Sequence, residues 1–253
     1  MKLSASGATH PGRVRGRNED AYHVGPGLYV VADGMGGSHR GDVAAETACS
    51  VVADAWECGL DVVRSNGLDL AARLRLCAEV ANGAIIARAA GSNMGTTVVC
   101  LAVEGARGAV AWVGDSRCGR LRGGHFEWLT RDHSLRATVA RSHKKPLTDV
   151  ELAQVPANIL TRALGRAGTK VDVEEVDVRA GDIFLLCSDG VWGELEDSRI
   201  RELDIGPLFG LPSRAVHPVA PASPEEVARN FMSLALEFGG RDNCTTVVVR
   251  VEA

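Results

Sequence analysis

The stretch Leu28-Tyr29-Val30-Val31-Ala32-Asp33-Gly34-Met35-Gly36-Gly37 is an apolar run that ends in one carboxylate, followed at once by glycines that let the backbone turn sharply. It reads as a buried strand that delivers Asp33 to its end. Asp followed by Gly is also an ordinary turn dipeptide, so the run alone says little about chemistry. Three further acidic fragments change its weight: Asn18-Glu19-Asp20, Cys187-Ser188-Asp189-Gly190 and Arg241-Asp242-Asn243 lie beside strand-like segments spread across the whole chain. Carboxylates so distant in sequence meet only through folding, and without a cation between them they repel. The pattern predicts a metal site at strand ends. Its candidate donors are all oxygen, which selects a hard ion, Mg²⁺ or Mn²⁺, over zinc. Two such ions about 3.5–4 Å apart can activate one bridging water, and Asp33 is the carboxylate placed to bridge them.

The rest of the chain supplies layers for such a site. Gly41 to Cys58 sets Ala44, Thr47, Ala48, Val51, Val52 and Ala55 at helical spacing, and a second helix runs from about Leu68 to Ala90, with Leu70, Leu74, Cys77, Ala81, Ala84, Ile85 and Arg88 recurring and Gly91 as its stop. Met94–Val103 switches to β-branched strand chemistry, and Gly108–Val113 and Arg117–Leu121 continue as short strands with Gly-containing turns between, which implies an antiparallel sheet. Regular pattern then fails: a short helix from Ser134 leads through His143-Lys144-Lys145-Pro146 to Val155-Pro156, a mobile flap over about 134–160. Strands resume at Val171–Val178 and Ile183–Cys187. A loop over about 204–223 carries Pro207, Pro212, Pro218 and Pro221. Ser223-Pro224-Glu225-Glu226 starts a helix with a capping serine and an N1 proline, with Val227, Phe231, Leu234 and Phe238 as its buried face. Cys244–Val251 is a central strand. Two strand clusters, each with a helix pair, predict an α+β fold, a four-layer α-β-β-α sandwich in a single domain over 1–253.

Composition narrows the partners. A formal net charge of −4 without a basic run excludes the electrostatic footprint of a nucleic-acid binder. Seven cysteines, odd in number and without a CxxC pair, argue against a disulfide framework and a thiolate zinc site, and fit a reducing cytosol. Neither a signal-peptide core nor a run long enough to span a bilayer is present, so the expectation is a soluble, cytoplasmic protein without a membrane partner.

Arg15 lies just upstream of Asn18-Glu19-Asp20, and its planar fork suits bidentate capture of phosphate oxygens. Cys58 to Arg64 satisfies the C-x₅-R spacing of cysteine-nucleophile phosphatases, but Leu60, Val62 and Val63 supply neither the glycines nor the cationic setting such a thiolate needs. His10, His125 and His217 read as surface or loop residues. His39 and His143 are candidates for a general acid.

Taken in order, the fragments resemble a known family. They are Gly12-x-x-Arg15-x-x-Asn18-Glu19-Asp20, Val31-Ala32-Asp33-Gly34-Met35-Gly36-Gly37, Met94-Gly95-Thr96-Thr97, Val113-Gly114-Asp115-Ser116-Arg117, Leu129-Thr130-Arg131-Asp132-His133-Ser134, Leu160-Thr161-Arg162-Ala163-Leu164-Gly165, Cys187-Ser188-Asp189-Gly190 and Gly240-Arg241-Asp242-Asn243. The chain is similar to the bacterial metal-dependent protein phosphatases, the type 2C serine/threonine phosphatases, over nearly its whole length. The resemblance implies the same sandwich, with two Mn²⁺ or Mg²⁺ ions held by Asp33, the carbonyl of Gly34, Asp189 and Asp242. Asp115, with Asp189, matches the site of a weaker third ion. Arg15 matches the phosphate-binding arginine, Glu19 and Asp20 match positions that hold metal-bound waters, and Asn243, following Asp242, adds a further oxygen beside the metal ligands or their waters. The implied reaction is in-line attack of a metal-activated water on phosphoserine or phosphothreonine, in a monomer that opposes a bacterial serine/threonine kinase. Three positions depart from the family: Met35 stands where eukaryotic relatives carry a proposed acid histidine, Ser38 precedes His39 where many bacterial members place histidine after Gly-Gly, and Val155-Pro156 replaces a His-Pro pair in the flap. The alternative is a regulatory domain that keeps the fold and binds a kinase with little turnover. Loss of metal carboxylates would favour it, and none is lost.

Overall fold

Strands buried on both faces need cover on both faces, and the chain provides it in layers. The computed structural model describes residues 1–35, 40–65, 69–143, 147–156, 158–197 and 222–252. One sheet has the order β1 (Lys2–His10), β11 (Cys244–Glu252), β10 (Ile183–Cys187), β7 (Arg117–Arg122) and β8 (His125–Trp128). The other runs β2 (Asp20–Gly25), β3 (Leu28–Met35), β5 (Val98–Glu104), β6 (Arg107–Val113) and β9 (Asp172–Asp177), with β4 (Gly95–Thr96) paired to the end of β3. The pairings are antiparallel throughout.

Period-two alternation sorts side chains into three hydrophobic layers. Val30, Ala32, Val98, Cys100 and Ala102 face helices α1 (Gly41–Ser65) and α2 (Leu70–Ala89). Tyr29, Val31, Val99, Leu101, Phe184, Leu186, Val247 and Val249 fill the space between the sheets. Ile183, Leu185, Cys187 and Val248 face α5 (Asp189–Asp197) and α6 (Pro224–Glu237). This is the expected four-layer sandwich. It also explains why antiparallel strands such as β3 and β11 read as continuous apolar runs.

Sequence and structure differ at several elements. On α6 the capping box of Ser223 and Glu226 forms with Pro224 in the first turn, but Phe238 lies beyond the last helical residue and is 41% exposed. The buried stripe is Val227, Ala228, Phe231, Met232 and Ala235, rotated away from Leu234. On α2, Arg88 is exposed in the last turn, and its carbonyl accepts from Arg40 at 3.0 Å. Within 134–160 the structure adds α4 (Asp149–Ala153), capped by Thr148 and Glu151, to α3 (Leu135–Ser142), whose cap is Ser134. Helix α5 begins at Asp189 itself, where no helix is expected from the sequence; it is too short for its periodicity to show. The proline-bearing stretch over 204–221 lies outside the described residues.

The topology brings one set of chain ends together. The end of β1, the start of β2, the ends of β3, β6 and β10 and the start of β11 all meet at one end of the sandwich, because each antiparallel pair aligns one strand's start with its neighbour's end. Close approach there demands glycine: a Cβ on Gly190 would run into the carbonyl oxygen of Asn243, whereas one on Gly193 would meet nothing. Gly190→Ala is therefore expected to lower the melting temperature by about 5 °C or more, while Gly193→Ala, within the same helix, leaves it unchanged or higher. Equal melting temperatures for the two variants would contradict this packing.

Candidate metal centre

Five elements deliver carboxylates to one bowl. Asp33, at the end of β3, is fixed by its backbone: its N–H donates to Thr97 Oγ1 at 3.0 Å, and its carbonyl accepts from the Thr97 N–H at 2.8 Å and Thr96 Oγ1 at 2.9 Å. Thr97 Oγ1 lies 2.7 Å from Ser116 Oγ, which ties the Asp33 strand end to the turn carrying Asp115. Trp192 Nε1 donates to the Asp115 carbonyl at 2.8 Å, and its ring lies 3.5 Å from the Arg117 guanidinium, itself bonded twice at 2.8 Å to Asp132.

The other side of the bowl is held by asparagine and serine. Asp20 stands opposite Asp33 in the β2–β3 ladder, and the Gly34 N–H donates to the Glu19 carbonyl at 3.1 Å. A side chain at Gly34 would meet the carbonyl oxygens of Glu19 and Gly41. Asn243 Oδ1 accepts from the Glu19 N–H at 2.9 Å, while its Nδ2 donates to the carbonyls of Pro11 at 2.9 Å and Arg17 at 2.7 Å. Ser188 Oγ donates to Asp20 Oδ2 at 2.8 Å and accepts from the Thr245 N–H at 3.0 Å. Arg15 Nη2 donates to Asp242 Oδ2 at 2.6 Å.

These walls enclose a cavity of about 930 Å³. Arg15, Glu19, Asp33, Gly34, Asp115, Asp189, Asp242 and Asn243 line it together, with Met35, Thr97, Ile159 and Leu160 among its other walls. Asp20 is half-buried and not among the lining residues, with its Oδ2 bonded to Ser188. His143 sits at the end of α3, its Nδ1 2.9 Å from the Val139 carbonyl, and is not among the lining residues. His39, Ser38, Gly36 and Gly37 lie outside the described residues. Ser188, Thr97 and Trp192 had no role in the sequence reading. A hydroxyl residue placed between an apolar strand and an Asp-Gly pair was the available signal for Ser188.

The electrostatics are those of anions crowded without a cation. Burial, then the neighbouring Asp20, Asp189, Asp115 and Asp242, pushes the Asp33 carboxyl far up. Burial raises Asp20 to about 7 against the hydrogen bonds that lower it, and burial with the Asp189 charge raises Asp115 to about 8. Asp189 is raised by burial and by Asp242, and is close enough to Asp33 to share a proton. Asp20 Oδ1 and Asp189 Oδ1 are buried without a hydrogen-bond partner among the described residues. Buried carboxylate oxygens are costly when unpaired, so this donor set fits a hard divalent ion. Among the described residues no three His, Cys, Asp or Glu side chains are grouped so that they could hold a metal ion by themselves.

An acidic, all-oxygen bowl at the end of a double antiparallel sandwich marks a hard-metal centre, and comparison with known proteins names the lineage. The family model for Protein phosphatase 2C matches residues 11–221. The serine/threonine phosphatase stp of Listeria monocytogenes is 32% identical over 257 residues, covering 98% of this chain and 95% of that protein. The serine/threonine protein phosphatase PstP of Mycobacterium tuberculosis is 32% identical over 95% of this chain, which spans only 43% of PstP. The crystal structure of the PstP catalytic domain in complex with two manganese ions superimposes with a TM-score of 0.80 at 29% identity, covering 99% of each chain. The chain belongs to the protein phosphatase 2C family.

A carboxyl whose pKa is raised by folding supports the fold only while protonated. Its contribution is complete below a pH of about 4 and lost as pH rises through the folded value. In EDTA the melting temperature is therefore expected to fall between pH 5 and 8, through the values near 7 for Asp20 and 8 for Asp115. Asp20→Asn should flatten that slope, and Mn²⁺ should raise the melting temperature more at pH 8 than at pH 6. A metal-free profile that rises over this range in the wild type would contradict the crowding.

Proposed function

We propose that this chain removes phosphate from phosphoserine and phosphothreonine in proteins, opposing a serine/threonine kinase, and that it acts as a monomeric single domain over 1–253. The observation that carries the reading is the convergence of Glu19, Asp33, Asp115, Asp189 and Asp242 on one cavity, with Asp189 Oδ1 buried there and without a partner among the described residues. In this reading Asp33, the Gly34 carbonyl, Asp189 and Asp242 hold two Mn²⁺ or Mg²⁺ ions, and Asp115 with Asp189 offers a third position. When bound, such ions lower the pKa of water and neutralise the charge of a phosphoryl group.

The chain's own residues supply position. Arg15 has one Nη2 bond committed to Asp242, which fixes the guanidinium at the cavity and leaves the rest of its fork for two phosphate oxygens. Asp20 has Oδ2 engaged by Ser188 and Oδ1 without a partner among the described residues, which leaves one acceptor to take a hydrogen bond from a water held at the site. Asn243 keeps Glu19 in register with Gly34. Met35 lines the cavity and has no proton to give. Cys58, the alternative nucleophile, is exposed on α1 and does not line the cavity.

Purified protein is expected to hydrolyse a phosphothreonine peptide with Mn²⁺, to lose this in EDTA, and to lose at least about 100-fold in kcat/KM on Asp189→Asn. Cys58→Ser should have no effect. Turnover that survives EDTA and disappears with Cys58→Ser would overturn the proposal. Arg15→Ala should raise KM for the peptide about tenfold or more, the loss of a charge-assisted hydrogen bond, with a smaller effect on kcat. An unchanged KM would remove Arg15 from the phosphate site.

A further inference from the structure

Two arginines at the carboxylate cavity are uncommitted. Arg17 and Arg166 both line it and both are exposed. Among the described residues neither guanidinium has an ion-pair or hydrogen-bond partner, whereas Arg15 in the same wall is bonded to Asp242. Their backbones, by contrast, are pinned. Asn243 Nδ2 donates to the Arg17 carbonyl at 2.7 Å. Asn82 Nδ2 donates to the Arg166 carbonyl at 3.2 Å, and Asn82 Oδ1 accepts from the Gly165 N–H at 2.7 Å.

A single unpaired surface arginine needs no explanation. Two of them, rooted by asparagine clamps on separate segments and opening onto one cavity, are a different arrangement. Neither is bonded to the acidic floor, although Asp189 Oδ1 on that floor has no partner among the described residues. Each is a long cationic arm on a fixed root, and its planar fork matches a carboxylate or a phosphate bidentately. Ile159 and Leu160 line the same cavity, so a peptide entering it also meets an apolar wall.

We infer that Arg17 and Arg166 form a subsite for an anionic group flanking the phosphoresidue, an acidic side chain or a second phosphate. The chain is then selective for acidic or multiply phosphorylated segments of its substrate proteins. The inference rests on the phosphatase reading above and adds the substrate class.

The test uses phosphothreonine peptides of one length with neutral flanks, with glutamates in the flanks, or with a second phosphoserine, assayed with Mn²⁺ at low salt and at about 0.5 M salt. The glutamate or the doubly phosphorylated peptide, or both, should exceed the neutral one in kcat/KM by about tenfold, since each exposed ion pair contributes a few-fold. The preference should shrink at high salt, where screening is strong. Arg17→Ala and Arg166→Ala should each reduce it about threefold, and the double variant should bring the peptides close to parity. Whichever anion is preferred identifies the flanking group. Equal kcat/KM for all three peptides in the wild type, or a preference that survives in the double variant, would overturn the subsite. Hydrolysis of p-nitrophenyl phosphate by the wild type separates the two levels: its presence beside a flat peptide profile removes only the arginine subsite, and its absence removes the phosphatase reading.

Discussion

Like-charge crowding is the constraint on which the rest of the structure depends. Asp33, Asp189, Asp242 and Asp115 are gathered from four strand ends, with Asp20 beside them, into a space where each raises the proton affinity of its neighbours. No local sequence preference would assemble them. Burial of three hydrophobic layers does, because the two sheets can bury both faces of β3, β10 and β11 only when stacked, and stacking places the strand ends side by side. The apolar core thus holds together what electrostatics would drive apart, and a divalent cation turns that repulsion into attraction.

The supporting contacts divide the same labour. Side chains fix the ends of the bowl by holding backbone groups: the Thr97 hydroxyl accepts from the Asp33 N–H, Asn243 Oδ1 accepts from the Glu19 N–H, and Trp192 Nε1 donates to the Asp115 carbonyl. The carboxylates carry few bonds of their own: Ser188 donates to Asp20, the Asn243 N–H to Asp242 Oδ1, and Arg15 to Asp242 Oδ2, which ties the arginine wall of the cavity to its acidic floor. Substituting Thr97 or Asn243 would therefore act on the site through backbone position, not through lost donors. Buried N–H groups left without acceptors in such variants cost on the order of 1–3 kcal/mol each.

Much of this was legible in the chain. Asp33, Asp189 and Asp242 stand out because each closes an apolar run or opens one and is followed by Gly34, Gly190 or Asn243, and the near-continuous apolar and β-branched runs of Leu28–Ala32 and Cys244–Val251 announce burial on both faces. The four-layer order follows from two strand clusters with helix pairs. What stayed hidden depends on tertiary partners. Helix α5 is too short to show a period, Phe238 follows the helix in sequence but falls past its last turn, and Ser188 is one serine among many until Asp20 and Thr245 are placed around it. Arg17 and Arg166 look like any surface arginine until the fold sets them on one cavity.

The central claim is that the carboxylates exist to be neutralised by divalent ions. Calorimetric titration of metal-free protein with Mn²⁺ at pH 7, repeated in two buffers of different ionisation enthalpy, counts both ions bound and protons released. The account predicts two strong equivalents, with net proton release from the raised carboxyls, and loss of strong binding in Asp33→Asn. Binding without proton release, or an isotherm that Asp33→Asn leaves unchanged, would contradict it.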